Sequence, residues 1–143
     1  MTDRGCQLMS LYVDFLRALS LIHQRNHWIA QGPNFYGDHL LFQRLYNEVQ
    51  KMADQAAEKT LGLYGELTSG PRTMAELITK YEKDEKPIQS SLDATKGFIE
   101  LCTQVYEGLQ KNDAMTLGLD DLVMALANQA ESHAYLLQQA NRG

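Results

Sequence analysis

The chain has 143 residues, is 44% hydrophobic, and carries a formal net charge of −5 with a pI near 5.3. That length holds one domain with a real core and is too short for two, and the acidic balance disfavours nonspecific attraction to nucleic acid or anionic lipid. Cys6 and Cys102 stand far apart without a CxxC spacing, so neither a disulfide framework nor a cysteine zinc site is indicated, and both are expected to be ordinary thiols.

From Leu8 to Ala30 the side chains Leu8, Leu11, Tyr12, Phe15, Leu16, Leu19, Ile22, Asn26 and Ile29 recur at three- and four-residue spacing, which predicts a helix with one buried face. Asp14, Arg17 and His23 interrupt the run and Asp3 and Arg4 precede it. It therefore reads as neither a signal peptide nor a membrane span, and a soluble, cytoplasmic protein is expected. Gln31-Gly32-Pro33-Asn34 supplies a glycine and then a proline to stop that helix and reverse the chain. A second helix follows from Phe35 to about Leu61, antiparallel to the first, with Phe42, Leu45, Val49, Met52, Ala53 and Ala56 on one stripe and Gly62 and Gly65 at its end.

Ser69-Gly70-Pro71-Arg72 reads as a loop, and Thr73 to Glu76 has the capping-box spacing for a short helix through about Tyr81. Lys83 to Pro87 is a charged hinge, with Pro87 suited to the first turn of the third long helix. Ile88, Leu92, Thr95, Ile99, Cys102, Tyr106 and Leu109 carry that helix to about Lys111. Asn112 and Asp113 are placed to cap a last helix whose buried face is Leu119, Leu122, Leu126, Ala130, His133, Leu137 and Ala140. Four long helices and one short one predict a single all-α domain over residues 1–143, a four-helix bundle. The long middle connection is either a mobile excursion or a crossover along the bundle. A crossover lets the second and third long helices run parallel, as in ferritin-like folds.

A helical wheel at about 100° per residue, with His39 at zero, puts Gln43 near 40°, Asp54 near 60° and Glu58 near 100°, while the apolar stripe falls at roughly 220° to 320°. The polar groups therefore point away from the core. His39 and Asp54 are fifteen positions apart, about 22 Å of helix, so they cannot bind one ion within one chain. A two-fold axis near Asn47 would bring an antiparallel copy alongside, with His39 of one chain opposite Asp54 and Glu58 of the other. His27 and His39 lie equally far from Pro33 and can meet across the turn. Two imidazoles and two carboxylates make a nitrogen-and-oxygen set suited to iron, zinc or manganese. His23, one turn before His27, is either a further ligand or a packing histidine.

The run His27-Trp28, Gly32-Pro33-Asn34-Phe35 and His39, continued by Asp54 and Ala57-Glu58, resembles the Dps miniferritins, and Glu131-Ser132-His133-Ala134-Tyr135 supports the likeness. The resemblance implies a dodecameric shell built from dimers. Its ferroxidase centres lie at two-fold interfaces and oxidise Fe(II), typically with hydrogen peroxide, and ferric mineral is stored inside. It further implies His27, His39, Asp54 and Glu58 as metal ligands, Trp28 as an accessory residue beside the centre, and the short middle helix at the dimer interface.

The chain departs from this family at Gln43, where an aspartate is usual. A neutral amide is a weak ligand, so a second ion should bind less well. Family members that bind DNA often use lysine-rich ends, and only Arg4 and Arg142 stand near the ends here. DNA binding is therefore not expected. Asp120, Asp121 and Glu131 could line an ion path, or, for the first two, simply solvate a helix start. The alternative to an iron-oxidising miniferritin is a structural assembly protein that has lost its redox role, with Gln43 as the first sign.

Overall fold

The structure, a computed structural model, describes residues 3–68 and 70–143. The part of the expected loop that falls on Ser69 lies outside the described residues. Five helices follow one another: α1 (Arg4–Ile29), α2 (Phe35–Tyr64), α3 (Pro71–Tyr81), α4 (Pro87–Lys111) and α5 (Leu117–Arg142). This is the all-α ferritin-like four-helix bundle, with α3 as the short helix in the connection between α2 and α4.

The helix ends have local causes. Asp3 starts α1 at Arg4, earlier than the apolar spacing indicates, because its carboxylate accepts from the backbone N–H of Gly5 at 2.7 Å and of Cys6 at 3.2 Å. Gly32, at φ +98°, makes the reversal between α1 and α2 that a side chain would strain. Gly62 stays inside α2, and Gly65 ends it in the left-handed conformation at Tyr64. The expected capping box at Thr73 does not form, because Pro71 already occupies the first turn of α3. Asn112 and Asp113 do not cap the last helix either. Asn112 closes α4, and Thr116 starts α5 by accepting from the N–H of Leu119 at 3.0 Å.

Gly5 lies by Tyr64 and His27 lies by His39, so α1 and α2 are antiparallel. Ser90 and Ser91 of α4 meet Asn26 near the end of α1, and Gly108 meets Leu8 near its start. The fourth helix is thus antiparallel to α1 and parallel to α2, the crossover arrangement. Arg25 of α1 holds that crossover through Glu82 at 2.9 Å and Asp84 at 2.8 Å, and Lys83 pairs with Asp93 at 3.1 Å.

The sequence pattern gives α1 one buried face, but the helix packs against α2, α3 and α4 and hides much more. Gly5, Cys6, Met9, Ser10, Ala18 and Ser20 are buried along with the apolar stripe, of which only Leu11 and Ile29 are partly exposed. Its length and apolarity would also suffice to cross a membrane, yet 78% of the relevant window lies buried inside the bundle, where the core uses it.

The core has two apolar clusters. The larger includes Tyr12, Leu16, Met52, Phe98 and Leu119, and the smaller includes Phe42, Leu45, Leu92 and Leu137. Between them, on α1, α4 and α5, lie the buried polar residues His23, Asn26, Ser91 and His133, with Glu48 of α2 beside them. This polar layer joins all four long helices.

Candidate metal centre

The candidate centre starts at the turn end of the α1–α2 hairpin. His27 is in the last turn of α1, where the final carbonyls have no partner within the helix. His39 reaches across from α2 and donates from Nδ1 to the His27 carbonyl at 2.8 Å, and His27 donates from Nδ1 to the His39 carbonyl at 2.7 Å. A carbonyl only accepts, so Nδ1 carries the hydrogen in both rings. In the neutral imidazole, Nε2 then keeps a free lone pair, the protonation pattern of a metal-binding histidine. The two rings stack at 3.7 Å with planes 18° apart.

Trp28, next to His27, is 65% exposed, and Phe35, Tyr36 and Leu40 are exposed on the same hairpin. On α2, Phe42, Leu45, Val49, Met52, Ala53 and Ala56 are all buried, while Gln43, Asp54 and Glu58 are exposed on the opposite side. Asp54 lines a groove of about 430 Å³ with Val13, Arg17, Leu21 and Leu67. Glu58 lines another with Lys59, Gly118 and Asp121. The hairpin therefore brings His27 and His39 together and leaves Asp54 and Glu58 apart from them. Among the described residues, no three His, Cys, Asp or Glu side chains gather closely enough to hold an ion.

The interior histidines have the opposite environment. His23 is fully buried, with Nδ1 2.8 Å from the Ser91 hydroxyl, which also accepts from the Asn26 amide at 2.8 Å. Burial, with a smaller contribution from nearby His133, pushes His23 down to about 3. Burial also lowers His133, with Arg44 adding to the effect and Glu48 opposing it. Glu48 lies 3.6 Å from His133 Nε2, beyond hydrogen-bond range, and is held at 3.0 Å by Arg44. Among the described residues, His23 Nε2, Asn26 Oδ1 and both ring nitrogens of His133 have no hydrogen-bond partner. The sequence spacing places His133 on the buried face but contains no sign of the layer it joins. His23, left open between ligand and packing, is a packing residue whose ring faces inward.

No family model matches the sequence. The chain is 35% identical over 75 residues to a nutrient stress-induced DNA-binding protein of Nostoc sp., a match covering 52% of this chain and 40% of that protein. It is 27% identical over 126 residues to DNA protection during starvation protein 2 of Bacillus anthracis, covering 78% of this chain and 79% of that one. Among solved structures it superimposes on Dps from Thermosynechococcus elongatus with a TM-score of 0.82 at 21% identity, over 94% of this chain and 88% of the other. With Dps from Microbacterium arborescens in its high iron form the TM-score is 0.81 at 22% identity, over 98% and 93%. The class is the ferritin-like four-helix bundle. Within it, the chain is similar in sequence and in fold to the Dps miniferritins, as the stretch from His27 to Glu58 indicates.

Proposed function

We propose that the protein binds, oxidises and stores iron in the manner of a Dps miniferritin, at sites completed only when two copies pair. His27 and His39 come from one subunit, and Asp54 and Glu58 come from its mate, with Glu58 the better candidate to bridge a second ion. The observation that carries this reading is the reciprocal lock of the two imidazoles through their Nδ1 atoms, with no third ligand gathered beside them among the described residues. The exposed Trp28, Phe35, Tyr36 and Leu40 beside them, and Leu21 and Leu67 in the groove with Asp54, supply apolar surface for a second copy to cover.

Hydrogen peroxide takes two electrons, one from each of two Fe(II), and is reduced to two hydroxides. Carboxylates favour the ferric products over the ferrous reactants. Zinc or manganese also fits this donor set, and an oxidation assay separates zinc from iron. Trp28 is the accessory residue beside the centre, the dimer is the unit of a dodecameric shell, and the site of action is the cytoplasm. With a net charge of −5, direct DNA binding forms no part of this reading.

The test is to add Fe(II) and peroxide to the metal-free protein and follow ferric absorbance. Wild type should oxidise iron well above the protein-free rate and Glu58→Ala should fall back to it. Equal rates in the two proteins contradict the ligand assignment. An intact oligomer in which wild type also runs at the protein-free rate supports the alternative, an assembly protein without redox function.

A further inference from the structure

The two imidazoles are the middle of a column of four rings. Phe35 stacks on His39 at 5.0 Å with planes 25° apart, on the face away from His27. At the other end Tyr46 meets His27 at 5.4 Å with planes 70° apart. Phe35, His39 and Tyr46 are spaced four and seven residues along α2 and so share one face of that helix, and His27 enters the column from α1.

The Nδ1 bonds fix where the hydrogens sit but leave each ring free to rock about its Nδ1-to-carbonyl line. Only contacts on the ring faces and edges restrain that motion, and Phe35 and Tyr46 close both open ends. We propose that Phe35 and Tyr46 are positioning residues. They hold both rings in the orientation in which the two Nδ1–H bonds form before any cation arrives, so that the tautomers set by those bonds persist, both Nε2 lone pairs are already aimed and little ordering is left to the binding step. The purpose of the clamp rests on the metal reading above, whereas its existence rests on the ring geometry alone. The contact needs the ring of Tyr46 and not its hydroxyl, so phenylalanine should serve and leucine should not.

Long-range proton–nitrogen NMR spectra of the metal-free protein report the tautomer of each histidine, and a Co(II) titration followed by visible absorbance reports affinity. Wild type and Tyr46→Phe should show pure Nδ1–H tautomers at His27 and His39 and equal Co(II) affinity. Tyr46→Leu should mix the tautomers of His27 and weaken Co(II) binding roughly 10-fold, the lower end for loss of a group that orients a ligand. Phe35→Leu should do the same at His39, with circular dichroism confirming that both variants fold. Pure tautomers and wild-type affinity in both leucine variants overturn the clamp. If wild type binds no Co(II) while its tautomers still depend on Tyr46 and Phe35, the metal reading fails and the clamp stands.

Discussion

His27 and His39 face each other at the turn end of the α1–α2 hairpin, whereas His23 and His133 lie in the polar layer inside the bundle. All four of the chain's histidines are accounted for in these two regions. At the hairpin, each Nδ1 is satisfied by a carbonyl and each Nε2 keeps its lone pair. In the interior, three of four ring nitrogens lack a partner among the described residues, and burial disfavours the charged form of both rings. His23 and His27 are one helical turn apart, yet one is packed among buried side chains and the other pairs with His39 across the turn. Spacing along a helix therefore does not assign a histidine its role; the groups facing its two nitrogens do.

The largest expected effect comes from exchanging the regions. His39→Ala should lower the rate of iron oxidation about 100-fold or more, since loss of a group that merely orients a ligand already costs about 10- to 100-fold. Its unfolding free energy, from urea melts, should change little. His23→Leu should do the reverse, keeping the oxidation rate while losing about 1–3 kcal/mol, because the buried Ser91 hydroxyl loses its imidazole partner. A variant of His23 that folds normally but no longer oxidises iron would break the comparison.

A smaller effect should follow pH. His23 and His133 are both pushed below their ordinary value by burial, so the unfolded chain takes up protons that the folded chain refuses. Stability is fully present above about pH 6.5 and is lost as pH falls toward the folded values, by up to about 1.4 kcal/mol per pH unit for each histidine. Replacing His23 by leucine should flatten the urea-melt stability profile between about pH 6 and pH 4.5, where an unchanged slope would assign the loss to other groups. The smallest effect is expected at Gln43, exposed one turn after His39. Gln43→Asp introduces a carboxylate and should raise the oxidation rate several-fold if this position touches the second ion.

Much of this was legible in the chain itself. The Gly32-Pro33 turn gives the register that brings His27 and His39 together, and the stripe from Phe42 to Ala56 is buried in full with Asp54 and Glu58 facing out. The extent of α1 burial was not legible, because Ser10, Ser20 and His23 are polar residues off the apolar stripe and hidden by three neighbouring helices. The start of α5 was missed because Asn112 and Thr116 have similar capping chemistry and only the geometry of the turn separates them. The ring column was missed for a related reason. Nothing in the spacing of Phe35 and Tyr46 sets them apart from other aromatics until the orientation of the imidazoles is known.

The central claim, a metal site shared between two chains, is tested most directly by mixing. His39→Ala and Glu58→Ala chains, each inactive alone, are dissociated and reassembled together, and iron oxidation is followed. If His39 and Glu58 of different chains form each site, half of randomly formed dimers are mixed and each has one intact site of two. Activity should then return to about a quarter of wild type. If both ligands must come from one chain, the mixture stays as inactive as its parents, and the shared-site account is contradicted.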